Sequence, residues 1–402
     1  MISEKIREDF PIFKKRKFIY FDNACTTLKP QCVIDAVVRY YAEYSGCAGR
    51  SLHRVGKEAE TAFEGARQEI GKFVGADASE VVFTKNCSEA LNLVSRSLDF
   101  SRRRGVVMSV LEHHSAFLPF QALAQAGKIK LDVVYPEKES GLFDADEWTK
   151  KIGKDTRLVV VHHTNNTFGT QAPLREIVGA SHDAGALVLL DAAQGVPHSE
   201  VNFKKLGADF MAFSGHKMLG PTGIGCLVGR LPLLEEMPPF LVGGETIESV
   251  SLEKTVFAKP PHKFEAGIQN YAGAIGLAEA CRYLRKVGMG NVEKHEREMF
   301  AYALSKTEGI PHLDVYGTHD ASKRSGIFLF NVRGVSPHQV AIMADSMKEI
   351  CMRSGVFCAE PGMRFLGVPD GACRASFYLY NTKQEIDVFA ETLTAVAKTL
   401  GR

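Results

Sequence analysis

The chain has 402 residues, 45% of them hydrophobic, and 49 basic against 47 acidic side chains leave a formal net charge of +2. That balance gives no reason to expect a nucleic acid or an anionic membrane as partner, and no stretch approaches the roughly 20 apolar residues of a membrane span. The opening residues also lack the apolar run of a signal peptide, so a cytoplasmic protein of two or three domains is expected.

In chain order, residues 58–73 carry amphipathic helical spacing, 81–84 form a short apolar strand, and 88–97 form a helix that opens with Ser88 and Glu89. Further apolar runs of strand length fall at 105–110, 158–162, 186–191 and 209–213, separated by helix-length segments such as 173–184. Strands apolar throughout belong in a sheet covered on both faces, so the fold class is α/β with a mostly parallel sheet. Beyond about residue 275 the pattern changes to helices at 272–287 and 292–304, a strand at 326–332, a helix at 337–347, a strand at 373–380 and a last helix at 383–400. The expected division is a large domain over 16–275 and a smaller α/β domain over 276–402, with residues 1–15 packing on the smaller one.

Asp191 stands at the end of one of the buried strands, and Lys217 follows one crossover later in the turn Ser214-Gly215-His216-Lys217, ahead of a second glycine-rich turn. An acid and an amine so placed are what a pyridoxal phosphate electron sink requires. The acid keeps the pyridine nitrogen protonated, and the amine holds the cofactor and moves protons. Taken singly, Asp191 is also the residue type that caps a helix and Lys217 that of a solvated surface; their combination with this turn argues for the chemistry.

Other residues fall where such a site needs them. The turn 84–89 leaves a strand and opens a helix, so its free N–H groups and the Ser88 hydroxyl suit a phosphate dianion, with Ser214 and His216 as further contacts. His113 lies just past the strand 105–110 and suits stacking on a ring and assisting proton transfer. Asn166 and Gln194 carry amides able to donate to a phenolate oxygen. Arg374, at the start of the strand 373–380, suits bidentate capture of a carboxylate. Cys358 lies in the Gly/Pro-punctuated loop 353–361, where an exposed thiol can act as a nucleophile. The nine cysteines contain no Cys-x-x-Cys pair, and no metal site is expected.

From about Phe18 to Asp387 the chain resembles the pyridoxal phosphate enzymes of fold type I, aminotransferase class V, and within them the cysteine desulfurases and selenocysteine lyases. The segments that carry this are FDNACTTLKP, VVFTKNCSEALNLV, LEHHSAFLPF, LLDAAQGVPHS, FMAFSGHKMLGPTGIGCL, FEAGIQN, RSGVFCAEP and CRASFYLYNT. The resemblance implies a large domain built on a seven-stranded, mostly parallel sheet, a homodimer, and pyridoxal 5'-phosphate as cofactor. By position, Lys217 would carry the cofactor, Asp191 would face its ring nitrogen and His113 would stack on the ring. Gln194, Asn166 and Cys87 would lie against the cofactor, while Ser88, Ser214 and His216 would hold its phosphate. Arg374, with Asn166, would bind the substrate, and Cys358 would form a persulfide.

The chain departs from the family pattern at several positions. Val356 and Phe357 stand where relatives often have two histidines, Gly49 stands for a histidine, and Ile268 for a threonine that reaches the partner subunit's phosphate. Cys25, Cys47 and Cys87 replace other residue types, as packing thiols or as marks of a changed sulfur route. The expected activity is conversion of L-cysteine to L-alanine with sulfur passed to Cys358 and then to an acceptor protein. Selenocysteine cleavage, transamination or epimerisation on the same fold, and a non-enzymatic sulfur carrier or scaffold, stay open at this point.

Overall fold

The computed structural model describes residues 4–49 and 51–401. Residues 1–3, Arg50 and Arg402 lie outside the described residues, and with them the start of the signal-peptide expectation and the two extreme ends of the expected domains.

Seven strands form the larger sheet: β1 (Val81–Thr84), β2 (Gly105–Ser109), β3 (Lys130–Val134), β4 (Thr156–His162), β5 (Leu187–Asp191), β6 (Phe210–Ser214) and β7 (Gly225–Gly229). Their spatial order is β1-β7-β6-β5-β4-β2-β3, with β7 antiparallel to both neighbours and the other pairings parallel. Alternate side chains of each central strand enter two different cores. Val159, Val161, Val188, Leu190, Met211 and Phe213 face one, and Leu158, Val160, Leu189, Phe210 and Ala212 face the other. This two-sided burial is why the strands read as continuous apolar runs.

β7 was not anticipated, because Gly225 and Gly229 bracket only three apolar residues and read as turn punctuation. Gly225 must lack a side chain: a Cβ there would sit 2.6 Å from the Phe213 carbonyl oxygen and 2.7 Å from Asn86 Cα. β3 was also missed, its solvent-leaning edge position leaving mostly Val134 buried.

A second, four-stranded antiparallel sheet has β8 (Leu313–Val315), β9 (Ile327–Val332), β10 (Arg353–Gly355) and β11 (Ala372–Ser376) in the order β8-β9-β11-β10. The helices Met289–Thr307, Pro337–Lys348 and Lys383–Leu400 pack on it around Phe328, Phe330, Phe389 and Leu393. The strand expected over 373–380 stops at Ser376, because Tyr378 N–H turns to Asn381 Oδ1 (2.8 Å) and the Asn381 N–H returns to the Tyr378 carbonyl (2.9 Å). The segment Ile19–Tyr20 pairs in parallel with Ile350–Cys351, and Phe21 enters the core of this second sheet. Upstream, Phe10 packs on Tyr283 and Tyr380, and Arg7 donates to Glu385 at 2.7 Å.

Candidate active site

The parallel strands of the larger sheet end on one side, where ligands bind in folds of this kind. β5 ends at Asp191, β4 at His162 beside it in register, and β6 at Ser214. The turn Gly215–Lys217 and the helices His114–Gln125 and Cys87–Ser97 start along this edge, and the loop between β10 and the helix Glu360–Phe365 closes over it. The result is a cavity of about 500 Å³ lined by every predicted site residue, from Cys87 and Ser88 to Cys358 and Arg374.

Asp191 Oδ1 accepts the Ala193 N–H at 3.0 Å and the Cys87 thiol at 3.4 Å. Burial, then the Asp191 charge, pushes the Cys87 thiol well up, so it stays protonated and donates. Lys217 is half-buried at the cavity wall and has no hydrogen bond or ion pair among the described residues. Its pKa is lowered by desolvation and by Arg374, against the opposing pull of Asp191 and Cys87. The turn beneath it is tied down through the His216 carbonyl, which accepts from Thr27 N–H (3.0 Å), from both the Thr26 and Thr27 hydroxyls (3.1 Å each) and from Lys29 Nζ (2.9 Å). Burial holds Lys29 at about 7.

His113 caps the helix His114–Gln125, its Nδ1 accepting the Ser115 N–H at 3.0 Å. Burial, then the Lys217 charge, holds its pKa well below the usual histidine range, so the ring is neutral with its proton on Nε2. Ser88 does not cap its helix. Asn86 does, accepting the Glu89 N–H at 3.0 Å, which moves the helix start to Cys87 and leaves the Ser88 hydroxyl 2.5 Å from that of Ser115. Ser214 Oγ accepts the Cys87 N–H at 2.9 Å, so its own proton is free to point into the cavity. His216 lines the cavity, and burial with Lys217 and Lys29 nearby holds it at about 4.

The two amides are more engaged than expected. Gln194 Nε2 donates to the Ala24 carbonyl at 2.6 Å while its oxygen meets His198 Nε2 at 3.1 Å, and His198 leans on Glu296. Asn166 Nδ2 donates to the Phe357 carbonyl at 2.9 Å. Each amide keeps one further N–H for a ligand.

Arg374 is 4% exposed, donates to the Asn166 carbonyl at 2.7 Å and lies 3.7 Å from Asp22, with its Nε unpartnered. Its guanidinium sits 4.8 Å from the Phe357 ring. Phe357 and Val356 pack with Val110, Leu111, Phe168 and Met363 in one apolar cluster. Only 356–359 of the expected 353–361 loop is irregular, since 353–355 is β10 and the helix begins at Glu360. Phe357 (φ 53°) and Cys358 (φ 55°) both take left-handed backbone, held by the Asn166 bond and by His114 N–H donating to the Cys358 carbonyl at 2.8 Å. Cys358 is exposed.

Gly49 and the exposed Ile268 lie outside this cavity, against Glu245 and beside Phe240 and Leu241 respectively, and the exposed Cys47 is likewise outside it. The residues that sequence reasoning passed over are Ser115, Lys29 and the buried pair Glu112–His162. Ser109 Oγ and His162 Nδ1 both meet Glu112 Oε1 at 2.7 Å, while His162 Nε2 and Glu112 Oε2 are unpartnered. The strand end His162 and its proximity to Asp191 were the available signal.

The sequence model of the aminotransferase class-V family matches residues 19–389. The chain belongs to the aminotransferase class-V family. Curated relatives include probable cysteine desulfurases of Streptomyces coelicolor, 40% identical over 99% of this chain and 98% of the relative, and of Pyrococcus abyssi, with the same identity and shares. Among solved structures, the apo cysteine desulfurase of Thermococcus onnurineus superposes with a TM-score of 0.95 at 40% identity, covering 100% of this chain and 99% of that one. A cysteine desulfurase of Escherichia coli gives 0.91 at 30% identity over 98% of each chain. The class-V fold of a larger sheet with a smaller C-terminal unit is thus shared along the whole length.

Proposed function

We propose that this class-V chain is a cysteine desulfurase that uses pyridoxal 5'-phosphate to convert L-cysteine to L-alanine and keeps the sulfur on Cys358. The observation that carries the reading is the convergence of Asp191, Lys217, Arg374 and Cys358 on one cavity. The cavity fits the cofactor. An unpartnered, half-buried amine lines the cavity together with a buried carboxylate, and the hydroxyls of Ser88, Ser115 and Ser214 gather at the start of the helix Cys87–Ser97.

When bound, the cofactor supplies a ring that accepts the electron pair left as the substrate Cα–H bond breaks. Asp191 would hold the proton on the ring nitrogen, with Cys87 and Ala193 fixing its Oδ1. Lys217 Nζ, whose neutral, proton-accepting form is favoured by desolvation, takes the Cα proton. His113 covers the site with a neutral ring. Arg374 holds the substrate carboxylate, its guanidinium already oriented by the Asn166 carbonyl. Cys358 Sγ bonds to the substrate sulfur as the Cβ–S bond breaks, and the carbon product leaves as alanine after protonation.

The reading includes a homodimer. Leu241, Val242, Val250, Leu252 and Ile268 are exposed apolar side chains on and near the hairpin Ile247–Val250/Thr255–Phe257, a surface suited to a second copy. It also includes cytoplasmic placement, an acceptor protein for the sulfur, and the domain division at about residue 275; no helix among the described residues is long and apolar enough to cross a membrane.

The test is a paired assay of the reconstituted protein with L-cysteine. It quantifies alanine and sulfide and reads protein persulfide by intact mass with and without Cys358. Stoichiometric alanine with a Cys358-dependent gain of one sulfur is expected. Bound cofactor without alanine would overturn the substrate and send the search to other amino acids.

A further inference from the structure

The cavity holds a second accessible thiol besides Cys358. Cys25 closes the turn that begins at Asp22, its N–H donating to the Asp22 carbonyl at 3.1 Å. That turn is tied down on several sides. Asn23 Nδ2 donates to the Ser376 carbonyl (2.6 Å), Ala24 N–H to Ser376 Oγ (2.9 Å), and Gln194 Nε2 to the Ala24 carbonyl (2.6 Å). The sulfur is therefore presented from a fixed backbone.

Arg353 Nη2 reaches Cys25 Sγ at 2.8 Å and Asp22 Oδ2 at 2.9 Å. An arginine only donates, so the sulfur accepts and its lone pairs lie beside a fixed cation. Arg353 also opens β10, the strand that runs directly into the Cys358 loop, so it ties Cys25 to the element that carries the first thiol. On the other flank lies Arg374, whose buried Nε is without a partner in the same cavity. The remaining thiol of the cavity, Cys87, is committed as a protonated donor to Asp191.

We propose that Cys25 is a second sulfur-carrying site, which takes the outer sulfur from the Cys358 persulfide inside the cavity. The proposal rests on the desulfurase reading for its supply of sulfur. In the step, the Cys25 thiolate attacks the outer sulfur and a new S–S bond forms at Cys25. The S–S bond at Cys358 breaks, and its electron pair leaves on Cys358 Sγ as a thiolate. One S–S bond replaces another, so no oxidant or reductant is needed. Cys358 is thereby cleared for a second substrate while the first sulfur stays beside Arg353 and Arg374.

The experiment gives the holoenzyme one equivalent of L-cysteine, quenches with an alkylating agent over time and maps the sulfur-bearing peptides. A parallel arm replaces L-cysteine with glutathione persulfide. Extra sulfur is expected first on Cys358 and later on Cys25. In Cys25→Ser it should accumulate and persist on Cys358, and in Arg353→Gln, checked for retained cofactor absorbance, its transfer should slow severalfold. Sulfur that reaches Cys358 but never Cys25 in either arm overturns the relay and leaves the desulfurase reading standing. A Cys25–Cys358 disulfide with released sulfide also overturns it, because attack then falls on the inner sulfur. Transfer from Cys358 to Cys25 with glutathione persulfide, but no labelling by L-cysteine, supports the relay and removes the desulfurase reading.

Discussion

The floor of the cavity and the arm that closes it are built by different means. The floor is the ends of β4, β5 and β6, which pair with one another in register within the larger sheet, with Asp191 buried at the end of β5 and Lys217 half-buried in the turn after β6. The arm is the four-residue span 356–359, which has no ladder of its own and holds two left-handed non-glycine residues through hydrogen bonds from Asn166 and His114. A buried floor can shift pKa values and orient charge, while an exposed arm can deliver a thiol outward to an acceptor. The division of labour in the proposed reaction follows this contrast.

The largest effects should separate the two regions. Lys217→Ala is expected to lower alanine formation by at least roughly 10²- to 10⁴-fold, the range for a lost general base, and to lose the covalently held cofactor absorbance; unchanged turnover would sink the role of the floor. Cys358→Ala should keep that absorbance yet abolish protein-bound sulfur from L-cysteine, and full retention of sulfur would reject the role of the arm.

Stability should respond to pH through the floor. Burial holds His163, beside the end of β4, at about 4 against an ordinary 6.5. As pH falls through that window the unfolded chain takes up the proton and the folded chain does not, so His163 costs about 3 kcal/mol of stability by the lower end. Urea midpoints of the apo protein above and below the window should fall accordingly, and His163→Asn should flatten the slope; an unaltered slope would assign it elsewhere.

Between the regions, Arg374→Lys removes the forked donor at their junction. A loss of about 1.5–3 kcal/mol, roughly 10- to 150-fold in kcat/KM, is expected. Substrate saturation curves would place it mainly in KM, whereas an effect on kcat alone would argue against carboxylate binding. The smallest effect belongs to Asn166→Ala, which releases the Phe357 carbonyl for about 1 kcal/mol. Persulfide formation should slow a fewfold with cofactor affinity nearly unchanged, and the reverse pattern would mean that Asn166 serves the cofactor rather than the arm.

Residues near the strand ends were legible because a buried parallel strand announces itself as an apolar run, and the polar residue that stops it must have a reason to be there. Asp191, Lys217 and Ser214 were found that way. Lys29 and Ser115 were not, since their partners are backbone and hydroxyl groups far away in the chain or hidden in a helix start. Glu112 and His162 are 50 residues apart, and no local spacing joins them.

The sequence by itself determined the α/β class, the strand ends that form the floor, and the residue types from which a pyridoxal phosphate site is made, because apolar periodicity and turn chemistry are local properties. Only the tertiary structure decided which hydrogen bonds engage Gln194 and Asn166, that Phe357 packs under Arg374, and that Cys25 shares its arginine with Asp22 at the foot of the Cys358 strand. Apart from Phe357 under Arg374, those are contacts between segments separated by more than a hundred residues, which no local pattern can report.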